Sequence, residues 1–203
     1  RLLAPDDPVV LEDLIHAQIA TGQFSEAQYN IETLIKAEGG KDRRDLRQLQ
    51  ARCLLNLDRP VEARELLIKL TSDTEGQKDV EAWIELGNVA FVLKDNSRLR
   101  LASQRLLAMA TSRPEGYTLR ALWQRRQGDL AGALDSLNKA VDLRGTETDP
   151  LILRGLVLQE LGRVEEARQA YASVLAQEPS NDTAKNALSS LSYASVPETE
   201  PQH

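Results

Sequence analysis

The chain is predicted to be all-α, built from tandem two-helix units. One observation is a recurring pair, in which an alanine is followed four residues later by a large apolar residue: Ala27 and Ile31, Ala63 and Leu67, Ala102 and Leu106, Ala133 and Leu137, Ala167 and Tyr171. The alanines lie 36, 39, 31 and 34 residues apart, with a mean of 35, the period of stacked helix-turn-helix repeats. A second is composition: 41% apolar, 28% charged and 4% aromatic residues suit many short amphipathic helices. Length alone would allow one or two compact domains, but a fixed internal period favours one quasi-linear array over residues 1–193.

Five units follow in order. The first, about 8–41, carries Leu11, Leu14, Gly22, Phe24, Ala27, Ile31 and Leu34. Ala51, Leu54, Ala63, Leu67 and Leu70 mark the second, 42–77, where Arg47 and Gln50 occupy places usually apolar and suggest a displaced first helix. The third, 78–114, runs Trp83, Leu86, Gly87, Ala90, then Ala102 and Leu106, and Pro114 ends it. In the fourth, 115–146, Ala121, Ala133, Leu137 and Ala140 flank a Gly128-Asp129 turn, and in the fifth, 147–181, Leu151, Gly155 and Leu158 precede a Gly162 turn, then Ala167, Tyr171 and Pro179. The unequal 39 and 31 intervals read as three residues added near Lys94–Leu99 and three removed after Pro114.

Residues 182–193 read as a capping helix with Asn181 or Asp182 at its N-terminus, covering the apolar face the last unit would leave open. Beyond it, 194–203 is rich in Pro, Glu, Ser and Thr and is expected to be disordered. Residues 1–7 read as the end of a preceding unit, with Pro5 at its turn, and a further unit upstream is expected.

The third unit, with Trp83, Leu86-Gly87, Ala90 and Pro114, resembles the tetratricopeptide repeat, with Ala in place of its Tyr and Leu in place of its Phe. The resemblance extends over nearly all of residues 1–193. It implies a right-handed α-α superhelix, a solenoid, whose first helices line a concave surface. Carrying the family's register across places Ile84, Asn88 and Phe91, Leu122 and Arg125, Ile152 and Leu156 in a peptide groove, where apolar anchors of an extended peptide or amphipathic helix would seat. Packing between neighbouring repeats is the alternative for each. Chaperone-binding members hold a terminal carboxylate with a Lys and an Asn one turn apart; the corresponding pairs here are Glu12 and His16, Gln48 and Arg52, Ile84 and Asn88, Thr118 and Leu122, Ile152 and Leu156. None carries the lysine, so chaperone tails are not the expected ligand.

Charge is uneven. Residues 94–126 hold eight basic residues against Asp95 and Glu115, a net +6 that leaves −12 for the rest of a chain of net charge −6. Arg98, Arg100, Arg105, Arg120, Arg125 and Arg126 form a candidate basic patch for an acidic or phosphorylated partner. The preferred reading is a solvated face whose arginines pair with acids on adjacent helices.

Other functions have little to stand on. No apolar run approaches the roughly 20 residues of a membrane span, and Arg1-Leu2-Leu3-Ala4-Pro5 does not read as a signal peptide. Cys53, the single cysteine, sits among Leu54, Leu55 and Leu57 as a core thiol, and His16 and His203 lack the clustered ligands of a zinc site. Tyr117 and Trp123 are too few for a base-stacking platform, so nucleic acid is not expected. No phosphate loop, dinucleotide fingerprint or nucleophile elbow is present, and no cofactor is expected.

The function expected is therefore a noncatalytic scaffold that binds a peptide or helix. Alternatives are a module that self-associates through its repeat ends, as a homodimer, or a regulatory domain of a larger enzyme. Cytoplasmic and extracytoplasmic settings both fit.

Overall fold

A computed structural model describes residues 7–37, 43–143 and 148–193, so the readings made for 1–6 and 194–203 lie outside the described residues. The chain divides into two compact units, Arg1–Met109 and Ala110–His203. The first holds α1 (Pro8–Ala20), α2 (Phe24–Ala37), α3 (Arg44–Asn56), α4 (Pro60–Ser72), a short 3-10 turn (Gly76–Lys78), α5 (Val80–Val92) and α6 (Asn96–Met109). The second holds α7 (Pro114–Arg126), α8 (Leu130–Leu143), α9 (Thr148–Glu160), α10 (Val164–Gln177) and α11 (Asp182–Tyr193). Among the described residues there is no strand.

Seven of the eleven described α-helices start at a side-chain cap or a proline. Asp7, Asp79, Asp95, Asp129 and Asn181 accept a hydrogen bond from a first-turn amide at 2.9–3.1 Å, and Pro8, Pro60 and Pro114 open helices at the position where a missing N–H costs nothing. Odd-numbered helices pack against the even-numbered helix that follows, forming α1–α2, α3–α4, α5–α6, α7–α8 and α9–α10 hairpins. Within each unit the next hairpin leans on the last through α2–α3, α4–α5, α8–α9 and α10–α11 contacts.

The hairpin turns set the true period. Gly22, Asp58, Lys94, Gly128 and Gly162 all have φ between 57° and 78°, and they recur at intervals of 36, 36, 34 and 34 residues. After each, the following amide bonds back to the carbonyl five residues earlier, as in Gln23 to Gln18 at 2.8 Å and Arg163 to Leu158 at 2.9 Å. This is the Schellman closure, in which a left-handed residue ends the helix and satisfies its last carbonyls.

The turns correct the alignment of the third unit. Five residues past each turn stand Ala27, Ala63, Leu99, Ala133 and Ala167, all fully buried, so Leu99 and not Ala102 occupies the alanine position. Ala102 and Leu106 imitate the motif because helical spacing puts Leu99, Ala102, Ser103 and Leu106 together on one buried face. No residues are inserted near Lys94 or removed after Pro114. Nor is α3 displaced: it has 13 residues and ends at the same distance from its turn as the other first helices, with Arg47 donating to Gln50 Oε1 at 3.0 Å.

The cores are the facing stripes of these hairpins. In the first unit Leu11, Ile15, Ile31, Leu34 and Leu46 are buried together with Cys53, whose thiol is pushed up by burial. In the second, Ala133, Leu137, Leu158, Ala167, Tyr171 and Val174 form the core, closed by Ala184 and Leu191 of α11. Gly155 shows why small residues recur on first helices. A Cβ there would lie 2.6 Å from the Tyr171 ring, so glycine lets the ring press directly onto the α9 backbone.

Candidate functional site

Each first helix buries one stripe and turns another outward, because residues three and four apart share a face. On α5 the buried stripe is Trp83, Leu86 and Ala90, while Ile84 and Phe91 are half-buried and Asn88 is exposed. On α9, Ile152 and Leu156 are half-buried, with Ile152 resting against the second core. Leu122 of α7 is 9% exposed, which makes it largely a packing residue. Arg125 is half-buried and pairs with Glu160, its Nε donating to Oε1 at 2.9 Å. The seven groove positions thus fall on two units: Ile84, Asn88 and Phe91 in the first, and Leu122, Arg125, Ile152 and Leu156 in the second.

In the first unit the outward stripes are laced by polar contacts between successive hairpins. Arg43, just before α3, reaches Glu12 of α1 and Asp45 of α3, both at 2.5 Å, and its hydrogen bond holds the Asp45 carboxyl below the usual range. One hairpin later Gln48 donates to Asp79 Oδ2 at 2.7 Å, and Arg44 lies 3.6 Å from the same oxygen. Arg44 also caps the end of α4, donating to the Leu70 carbonyl and to Asp73, each at 2.6 Å.

Glu85 was not singled out by the sequence. Its side chain is largely buried on α5, with Oε2 enclosed and lacking a hydrogen-bond partner among the described residues. Burial raises its pKa to about 7, against the lowering influence of Arg52 and with Glu81 and Asp79 adding to the rise. The readable signal was an acid between Trp83 and Leu86, at a register where α3, α7 and α9 carry Leu49, Leu119 and Leu153.

The basic residues have local engagements. Arg98 bonds Asp95 at 2.6 Å, and Arg105 stands 5.8 Å from the Trp83 ring centroid. Arg113 bonds Glu115 at 2.5 Å. Arg120 lies 5.2 Å from the Tyr117 ring and donates to Ser136 Oγ at 2.9 Å, while Ser136 donates to Gln124 at 2.7 Å, so it belongs to the α7–α8 interface. Arg100 is exposed and Arg126 half-buried.

Among the described residues no cluster of three His, Cys, Asp or Glu side chains could hold a metal ion, and no helix is long and apolar enough to cross a membrane. Ion-paired, half-exposed helix faces of this sort are the surface of a helical-hairpin repeat protein. Residues 124–191 match the family model described as tetratricopeptide repeat, and the chain carries tetratricopeptide repeats. It is 37% identical over 95 residues to tetratricopeptide repeat protein 36 of Xenopus tropicalis, a match covering 44% of this chain and 46% of that protein. The chain therefore spans about half the length of that curated relative. A thermophilic tetratricopeptide repeat protein of Thermus thermophilus has the same fold, with a TM-score of 0.75 at 19% identity, over 94% of this chain and 100% of that one. The first repeat domain of Spaghetti (RPAP3), solved with an HSP90 peptide bound, is 30% identical with a TM-score of 0.55, over 58% of this chain and 95% of that one.

Proposed function

We propose that the chain is a noncatalytic scaffold whose first-helix faces hold a peptide or an amphipathic helix of a partner protein. The observation that carries this is α5, where Ile84 and Phe91 remain half-exposed on the face opposite a complete core stripe. Apolar side chains half-exposed there, with Asn88 between them to fix the ligand backbone, suit the apolar anchors of a partner. Arg125, Ile152 and Leu156 offer a second surface of the same kind, with Glu160 holding the arginine in place. The likeness to a peptide-binding repeat domain supports the same general role. The lysine-bearing clamp for a terminal carboxylate has no counterpart here, which argues for apolar anchoring rather than carboxylate capture.

The test is selection from a peptide-display library followed by titration calorimetry. Selected peptides are expected to carry apolar residues three or four apart, and Ile84→Ser with Phe91→Ser should weaken them by about tenfold or more while leaving the circular dichroism spectrum unchanged. The peptide SRMEEVD is expected to give no heat. Undiminished affinity in the double variant would remove the α5 face from the account.

A further inference from the structure

The second hairpin keeps a hollow where the other hairpins carry a large apolar or aromatic side chain. Eleven residues before each turn residue stand Leu11, Trp83, Tyr117 and Leu151, but on α3 the same place holds Arg47. Leu11, Trp83 and Leu151 are buried and Tyr117 is half-buried. Beside Arg47 a cavity of about 400 Å³ opens between α3 and α4, lined by Arg44 and Arg47 of the one and by Leu66, Lys69 and Leu70 of the other. The facing position on the second helices sharpens the contrast. In the third hairpin Arg105 stands 5.8 Å from the Trp83 ring centroid, and the residue of the second hairpin in the place of Arg105 is Lys69. A cation over an aromatic ring is thus replaced by a guanidinium and an ammonium lining one cavity, an arrangement that like-charge repulsion disfavours and an anion between them would favour.

One wall is fixed by the fold itself. Arg44 donates to the Leu70 carbonyl and to Asp73, each at 2.6 Å, and Asp73 also accepts from the Gly76 amide at 2.6 Å. The rest of the lining selects the ligand. Arg47 presents the planar fork that matches a carboxylate, with Lys69 as a second cation. Leu66 and Leu70, half-buried and buried, supply apolar surface. Asp73 and Glu75 complete the lining, and their charges disfavour a dianion such as a phosphate monoester. A polypeptide end would bring amides for which the leucines offer no partner. The volume falls within the roughly 300–1,000 Å³ of small-ligand sites. We propose that the cavity between α3 and α4 binds a small apolar monocarboxylate, its carboxylate held by Arg47 and Lys69 and its apolar body resting on Leu66 and Leu70.

Octanoate is the probe, titrated at neutral pH into the isotope-labelled protein and followed by nuclear magnetic resonance. Saturable shifts are expected at the amides of Arg47, Lys69 and Gly76. Arg47→Leu installs the residue that α1 and α9 carry at this place, and it should weaken binding by about tenfold or more while the melting temperature holds or rises. Lys69→Gln changes an exposed residue and should weaken binding too, which gives a second reading that leaves the core untouched. Octanol should bind at least about tenfold more weakly than octanoate. Equal affinity for octanol would reduce the site to an apolar hole, and tighter binding of octyl phosphate or of N-acetylleucine would give it to a phosphate or to a chain end. Octanoate that fails to bind, or that binds equally well to both variants, would remove the site. Each of these results overturns the proposal. None of them involves the α5 groove residues, so failure here leaves the groove proposal standing.

Discussion

Glu85 is the residue whose chemistry departs furthest from its surroundings. Its folded-state pKa of about 7 lies above the ordinary 4.5, so the native state keeps a proton the unfolded chain releases. The stabilisation is complete at low pH and is lost as pH rises from about 4.5 through 7. Glu85→Gln keeps the shape without the ionisation. The variant is expected to match the parent near pH 4 and to exceed it by about 1–3 kcal/mol at pH 8, read from denaturant melts at both values; a pH-independent difference would mean that the carboxylate is hydrated after all. At Gly155 the effect is steric. Gly155→Ala should cost about 1–3 kcal/mol through the clash with Tyr171, and Tyr171→Leu in the same chain should recover part of it. By comparison the half-exposed Arg125–Glu160 pair contributes little, so Arg125→Gln should lower stability by under about 1 kcal/mol.

At the scale of elements, the hairpin turns are the repeating device. Gly, Asp and Lys all fill the left-handed position, but only glycine does so without strain. Asp58→Gly and Lys94→Gly are therefore expected to hold or slightly raise the melting temperature, whereas Gly162→Ala should lower stability by about 1 kcal/mol, measured by differential scanning calorimetry. A fall in both glycine variants would show that the side chains of Asp58 and Lys94 hold those turns.

The same positions explain what could be read in advance. Helix pairs and their order were legible because alanines and leucines recur with the buried stripe. The third unit was misaligned because its turn residue is Lys94 and its small position holds Leu99, so the one alanine in sight, Ala102, sat a turn too late. Arg47 and Gln50 suggested a displaced helix because sequence alone does not show that they bond each other.

At the scale of the whole molecule, the candidate site was legible in register but not in environment. The register carried over from the family it resembles placed Ile84, Phe91, Ile152 and Leu156 on the groove side of first helices. It could not show that Leu122 is nearly closed over, that Arg120 is drawn between α7 and α8, or that Glu85 loses its water, because each depends on what the neighbouring helix brings.

Site-directed photo-crosslinking with a selected peptide tests the central claim most directly, using a photoreactive residue placed in turn at Ile84, Asn88 and Phe91 on a first helix and at the exposed Val61 and Leu101 on second helices. The account expects crosslinks from the first-helix positions and none from Val61 or Leu101. Crosslinks confined to the second helices would contradict it.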